Sequence, residues 1–239
     1  MNVGIIGTGP MGLALARGLR SADLAVRLCG AGRRLGGAPD QPELDRLLGW
    51  ASAVILAVPF PIALRMVSGP LGRSGEGRTL VDVTNPAMTA AAVSPLDRSG
   101  GERIAEAASG WRVAKAFNTV SATVIEQVPR RQGPPSLPVA SDHSLAVRDV
   151  FELAEALGFE PLHAGGIDSS RHLESLAILL RQISTRHNRA GLITVHIGLG
   201  HDERSTLTNG GEQLSRLPSD PVGLSSWSHF DLRNADEWR

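Results

Sequence analysis

The chain has no tyrosine, one cysteine and one lysine among its 239 residues. Without tyrosine, a carbonyl reductase built on a Tyr–Lys proton relay is excluded. A lone Cys29 cannot close an intramolecular disulfide. That fits a reducing compartment and sets the expectation of a cytoplasmic protein in which Cys29 packs as a small hydrophobe. Lys115 is the one lysine, so nearly all positive charge is arginine, which reads as compositional bias rather than chemistry. Net charge is also lacking: 24 Lys and Arg balance 24 Asp and Glu. No general affinity for nucleic acid or a membrane surface is expected. No apolar run reaches the length of a membrane span. The first strand-like stretch begins at residue 2 or 3, so no signal peptide is expected.

What is present starts at the N-terminus. Val3-Gly4-Ile5-Ile6 reads as a buried strand, and Leu13-Ala14-Leu15-Ala16-Arg17-Gly18-Leu19 has helical spacing. Between them lies Gly7-Thr8-Gly9-Pro10-Met11-Gly12. A G-x-G-x-x-G phrase between strand and helix is the fingerprint of a dinucleotide-binding Rossmann unit. Gly7 makes the tight turn, Gly9 lets a pyrophosphate approach the backbone, and Gly12 lets helix and strand pack closely. The helix N-terminus then faces the phosphates.

The second strand is expected at Leu24 to Cys29. A strand of this kind that prefers NAD usually ends in Asp or Glu. Here it runs into Gly30-Ala31-Gly32-Arg33-Arg34, with no acid before Asp40. Guanidiniums can bind a 2′-phosphate bidentately, so Arg33 and Arg34 point to NADP. A short helix around Pro42 to Trp50 follows. Then come three apolar strands: Ser52 to Val58, Thr79 to Val83 and Val113 to Phe117. They end at Pro59-Phe60-Pro61, at Thr84-Asn85-Pro86 and at Asn118-Thr119. All three polar or proline endings fall at one end of the sheet, where open α/β sheets bind ligands. Leu71 to Arg78 reads as a surface loop, and Gly101 to Ala108 as a helix.

After a connector at Arg130 to Pro138, a short strand is expected at Leu137 to Ala140 and a helix at Ser144 to Leu157. The helix carries a stripe of Val147, Val150, Phe151, Ala154 and Leu157. A last strand, Phe159 to His163, precedes a helix that starts at Ser170, capped by Asp168 or Ser170. Leu173, Leu176, Leu180 and Ile183 form its stripe, with Leu179 beside it. His187, His196 and His201 match no zinc spacing, so no metal is expected. From about Leu199 the apolar residues lose any period, yet Trp227, Phe230 and Trp238 argue that this stretch packs on something. The domains expected are a Rossmann domain over 1–135, a small α/β lobe over 136–195 that closes the pocket, and an irregular tail over 196–239. Overall this is an α/β chain with a doubly wound parallel sheet and a small C-terminal helical lobe.

Five phrases together resemble the F420-dependent NADP oxidoreductase family. They are Val3 to Gly12, Ala57-Val58-Pro59-Phe60, Val81-Asp82-Val83-Thr84-Asn85-Pro86, Lys115-Ala116-Phe117-Asn118-Thr119, and Gly165 to Leu176. The resemblance covers roughly residues 1 to 190. The Lys-Ala-Phe-Asn-Thr phrase is also similar to the cytosolic domains of membrane metalloreductases. The family resemblance implies NADPH at the glycine turn and the deazaflavin coenzyme F420 stacked on the nicotinamide. It places the nucleotide along Gly7, Thr8, Gly9, Pro10, Met11, Gly12, Val58, Pro59, Phe60, Asn85, Pro86, Ala116 and Asn118, with either Arg33 or Arg34 at the 2′-phosphate. It also implies a homodimer. Hydride transfer between two ring cofactors asks little of side chains. Asn118, Thr119 and His172 are the candidates to touch the reacting rings. Two alternatives stand beside this reading: an NADPH-dependent reductase of a flavin or a small imine or ketone, and a non-catalytic NADPH-binding redox sensor.

Overall fold

Five parallel strands form the platform of the site, in the order β2-β1-β3-β4-β5. In the computed structural model they are β1 (Asn2–Ile6), β2 (Ala25–Cys29), β3 (Ala53–Leu56), β4 (Thr79–Asp82) and β5 (Arg112–Lys115). The structure describes residues 1–30, 41–86, 98–127, 133–189 and 191–198. Met1–Ile197 form one compact unit, and of the residues beyond it only Gly198 is described. Arg33, Arg34, Asp40, His201 and the three tail aromatics therefore lie outside the described residues.

β1, β3 and β4 are buried along almost their whole length because both faces are covered. One face packs against α1 (Pro10–Ser21), α5 (Ala122–Glu126) and α6 (Ser144–Ala156), through residues such as Ile5, Leu15, Val124 and Val150. The other packs against α2 (Gln41–Leu48), α3 (Phe60–Val67) and α4 (Gly100–Ala107), through Leu47, Ala63, Leu80 and Ile104. This is the doubly wound arrangement. The chain leaves β1 in one direction to β2 and returns across it to β3, so the switch point lies between β1 and β3. Ile5 faces Leu28 on one side and Ile55 on the other. Cys29 is fully buried, as a small hydrophobe should be.

A second, two-stranded parallel sheet joins β6 (Ser136–Val139) and β7 (Glu160–His163). An antiparallel bridge ties it to β5: Lys115 N–H donates to the Ala140 carbonyl at 2.8 Å, and Ala140 N–H donates back at 3.0 Å. A 3₁₀ turn, Ile167–Ser169, leads into α7 (Ser170–Arg186). Among the described residues no helix is long and apolar enough to cross a membrane.

Four local expectations are corrected. Residues 71–78 are not a plain surface loop. Pro70–Arg73 is a 3₁₀ turn, and Trp111 packs beneath it, its indole N–H donating to the Leu71 carbonyl at 2.6 Å. The N-cap of α7 is Ser169, without a side-chain bond, because the 3₁₀ turn runs straight into the helix. The inward row of α7 is Ser170, Leu173, Glu174, Ala177, Ile178 and Ser184. Leu179 is 50% exposed and Ile183 36%. The helix docks on polar strand ends, so polar residues take inward places that an apolar stripe would otherwise fill. On α6 the buried row is Ala146, Val150, Leu153 and Ala154, with Val147 and Phe151 only half buried.

Candidate active site

The glycine turn lies at the switch point. Gly7 has φ +125°, a conformation that side chains rarely adopt, and a Cβ there would lie 2.2 Å from the Ala57 carbonyl oxygen. Gly12 sits as tightly: its Cβ would be 2.0 Å from the Gly7 carbonyl oxygen. Gly9 differs. It is the N-cap of α1, with φ −72°, and a Cβ on it would meet nothing within 4 Å. No side chain caps α1, and Pro10 begins it, so the N–H groups of its first turn point toward open space. Thr8, Gly9 and Pro10 are exposed around this cradle, and Val58 and Pro59 flank it from the end of β3. The cradle fits a pyrophosphate.

Further along the same edge, Asn85 follows β4 and Asn118 follows β5. Asn85 Nδ2 donates to the Asn118 carbonyl at 2.9 Å, and Asn118 Nδ2 donates to Asn85 Oδ1 at 3.0 Å and to the Leu173 carbonyl at 3.1 Å. Both amide hydrogens of Asn118 are thus used on oxygens, and its buried Oδ1 has no partner. An unpaired buried acceptor is unusual and fits a ligand N–H or O–H. The turn that delivers Asn118 is strained: Phe117 has φ 58° and is fully buried, its ring edge-on to Phe159 at 6.4 Å.

A cavity of about 450 Å³ opens beside this pair. Asn85, Asn118 and Thr119 line one side; Ala177, Leu180 and Arg181 of α7 line the other. Among the described residues Arg181 is the one ionisable group in its lining. His172 does not line it and is exposed, because Leu173 and Glu174 take the inward positions of that turn. Ala116 and Phe60 are buried in the cores, Phe60 with the Arg103 guanidinium 5.2 Å from its ring centre. Any part these two take in binding comes through their backbone. Pro86 packs against the start of α4.

Lys115 is the residue that composition alone misjudges. It is fully buried and paired with Asp82 at 2.9 Å and Glu174 at 3.1 Å. Asp82 and Lys115 are register partners on β4 and β5. The signal was available in sequence: a charge inside each of two apolar strands requires a partner. Glu174 carries no such local mark. Next to this network, Glu102 and Ser99 form a capping box at the start of α4, and Arg171 of α7 pairs with Glu102 at 2.9 Å. Burial pushes the Glu102 carboxyl up, but hydrogen bonds from the Ser99 backbone N–H and hydroxyl, and the Arg171 guanidinium, outweigh it and hold the group below its ordinary value.

No family model matches the chain. Metalloreductase STEAP3 of Rattus norvegicus is 35% identical over 104 residues, which is 44% of this chain and 21% of that protein. The chain spans about a fifth of the length of the curated relatives it matches. Among solved structures, a candidate F420-dependent NADP reductase from Arthrobacter sp. superposes with a TM-score of 0.66 at 21% identity, over 80% of this chain and 96% of that one. A reductive aminase from Aspergillus terreus, solved with NADPH, has a TM-score of 0.52 at 18% identity, over 78% of this chain and 62% of that one. A hypothetical protein from Sinorhizobium meliloti is 30% identical, with a TM-score of 0.55 over 71% of this chain and 87% of that one. The chain belongs to the same family as that Sinorhizobium protein, and its fold is that of the F420-dependent NADP reductase-like Rossmann proteins.

Proposed function

We propose that the protein is an NADP-dependent oxidoreductase that moves a hydride between NADPH and a ring acceptor, by resemblance the deazaflavin coenzyme F420. The observation that carries this reading is the glycine cradle. Open space at Gly9, in a turn whose other two glycines are tightly packed, is what a pyrophosphate site needs. The uncapped first turn of α1 binds the phosphates, and the Asn85–Asn118 shelf holds the nicotinamide end through the free Asn118 Oδ1. When bound, NADPH supplies the hydride. The cavity then contributes position and exclusion of water.

A second reading, reduction of a small imine or ketone or of a flavin, draws on the fold shared with the reductive aminase. Such a C=N or C=O acceptor needs a proton donor, and the described lining offers the hydroxyls of Thr119, Ser121, Ser184 and Thr185. A homodimer is part of the proposal. It is supported by the apolar side chains that α7 and the segment after it leave uncovered, Leu179, Ile183 and Leu192. A cytoplasmic setting is proposed on the single cysteine.

The test is NADPH oxidation measured in parallel with F420, FMN, a cyclic imine and no acceptor. Turnover with F420 is expected. Turnover with the imine alone overturns the ring-acceptor reading, and NADPH binding without oxidation by any acceptor points to a redox-sensing module.

A further inference from the structure

The Lys115 ammonium donates to Asp82 Oδ2, to Glu174 Oε1 and to the Thr84 carbonyl. An ammonium has three hydrogens, so Lys115 has none left for a ligand or a reaction. The two carboxylates are occupied as well. Asp82 Oδ1 accepts the Thr84 N–H at 2.9 Å. Glu174 accepts the Gly100 and Gly101 N–H groups, the first of α4, at 3.1 and 3.0 Å. Two carboxylates against one ammonium leave a negative charge, and it lies at the positive end of α4. The packing has no slack: a Cβ on Gly101 would lie 2.2 Å from Ser170 Oγ and 3.5 Å from Lys115 Cδ.

A buried ion network is a poor source of net stability, because an apolar replacement avoids the desolvation penalty. What this one does is fix positions. It joins the ends of β4 and β5, the start of α4 and the second turn of α7. Asn85 and Asn118 each follow shortly after one of the strand charges. Glu174 lies one turn before Ala177 on the α7 wall of the cavity.

We propose that Lys115 is a positioning residue: through Asp82 and Glu174 it sets the spacing between the Asn85–Asn118 shelf and α7, and so the width of the cavity that receives the hydride acceptor. This rests on the oxidoreductase reading above. The glycine cradle contributes no residue to the network.

Glu174→Gln tests it, because it keeps the shape and places an NH₂ where an oxygen now accepts a backbone N–H. Lys115→Met is the second variant; if it fails to fold, Glu174→Gln carries the test. Four quantities are measured: thermal melting, NADPH affinity by titration, steady-state kinetics with whichever of F420 and FMN the parent reduces, and acetylation of Lys115 by an amine-reactive ester. Because Lys115 is the one lysine, the mass of the proteolytic peptide that carries it reports its labelling apart from that of the Met1 α-amine. The expected result is a folded Glu174→Gln protein with parental NADPH affinity, an acceptor KM raised about tenfold, a lowered kcat and faster Lys115 labelling. Parental KM and kcat for the acceptor overturn the proposal. So does a loss of NADPH affinity and turnover in step with the folded fraction, which is a structural role only. A parent that binds no NADPH overturns the oxidoreductase reading instead; labelling then decides the positioning role of Lys115, and a Glu174→Gln protein labelled no faster than the parent sinks it.

Discussion

Asn85 and Asn118 exchange hydrogen bonds across the carboxyl ends of β4 and β5, each side-chain nitrogen donating to an oxygen of the other residue, at 2.9 and 3.0 Å. The exchange joins two strand ends into one shelf. The third bond, from Asn118 to the Leu173 carbonyl, hangs α7 from it. Removing one side chain should therefore be felt by both walls of the cavity.

Asn118→Ala leaves the Leu173 carbonyl and Asn85 Oδ1 without their donor. A loss of about 1–3 kcal/mol in urea unfolding is expected, together with slower NADPH oxidation. A variant with parental stability and rate would show that the shelf is not part of the site.

Gly9 and Gly12 should respond in opposite ways. Gly9→Ala adds a methyl to open space at an ordinary φ, so melting without ligand should hardly change while stabilisation by NADPH disappears. Gly12→Ala drives a methyl into the Gly7 carbonyl and should cost about 1–3 kcal/mol with or without nucleotide. Thermal melts of both variants, with and without NADPH, separate the two effects.

Glu102 gives a pH signature. Its folded carboxyl titrates below the ordinary value, so its contribution is complete above the unfolded pKa, about 4.3, and is lost as pH falls through the lower folded value. Glu102→Gln is thus expected to be less stable than the parent at pH 7, with the gap closing in acid below the usual carboxylate range. Urea midpoints at several pH values check this; a gap that stays constant with pH contradicts it.

NADPH should bind more tightly than NADH, because arginines stand where an acid would select NADH. Losing one charge-assisted contact in Arg33→Ala or Arg34→Ala should weaken NADPH by about 1.5–3 kcal/mol and leave NADH unchanged. Equal affinity of the parent for both nucleotides would remove the basis for this assignment.

The uncovered side chains of α7 predict the effect of Leu179→Glu. If two copies meet there, the mass in solution should fall from dimer to monomer while the melting temperature of the isolated chain holds. A parent that is already monomeric ends the homodimer proposal.

Sequence alone determined the order of elements, the glycine turn and the common edge at which three strands end. These are local properties: a glycine spacing, an apolar run, a proline that cannot continue a strand. It also holds Asp82 and Lys115, charges inside otherwise apolar runs, a mark that the reading of Lys115 as composition passed over. Tertiary structure decided the rest. Glu174 meets Lys115 only because α7 docks over the ends of β4 and β5. The same docking turns Leu179 and Ile183 outward, where helical periodicity predicted an apolar inner stripe, and leaves the candidate His172 in solvent. Periodicity says which residues share a helix face. Which face turns inward depends on the surface that the helix meets, and here that surface is a row of polar strand ends.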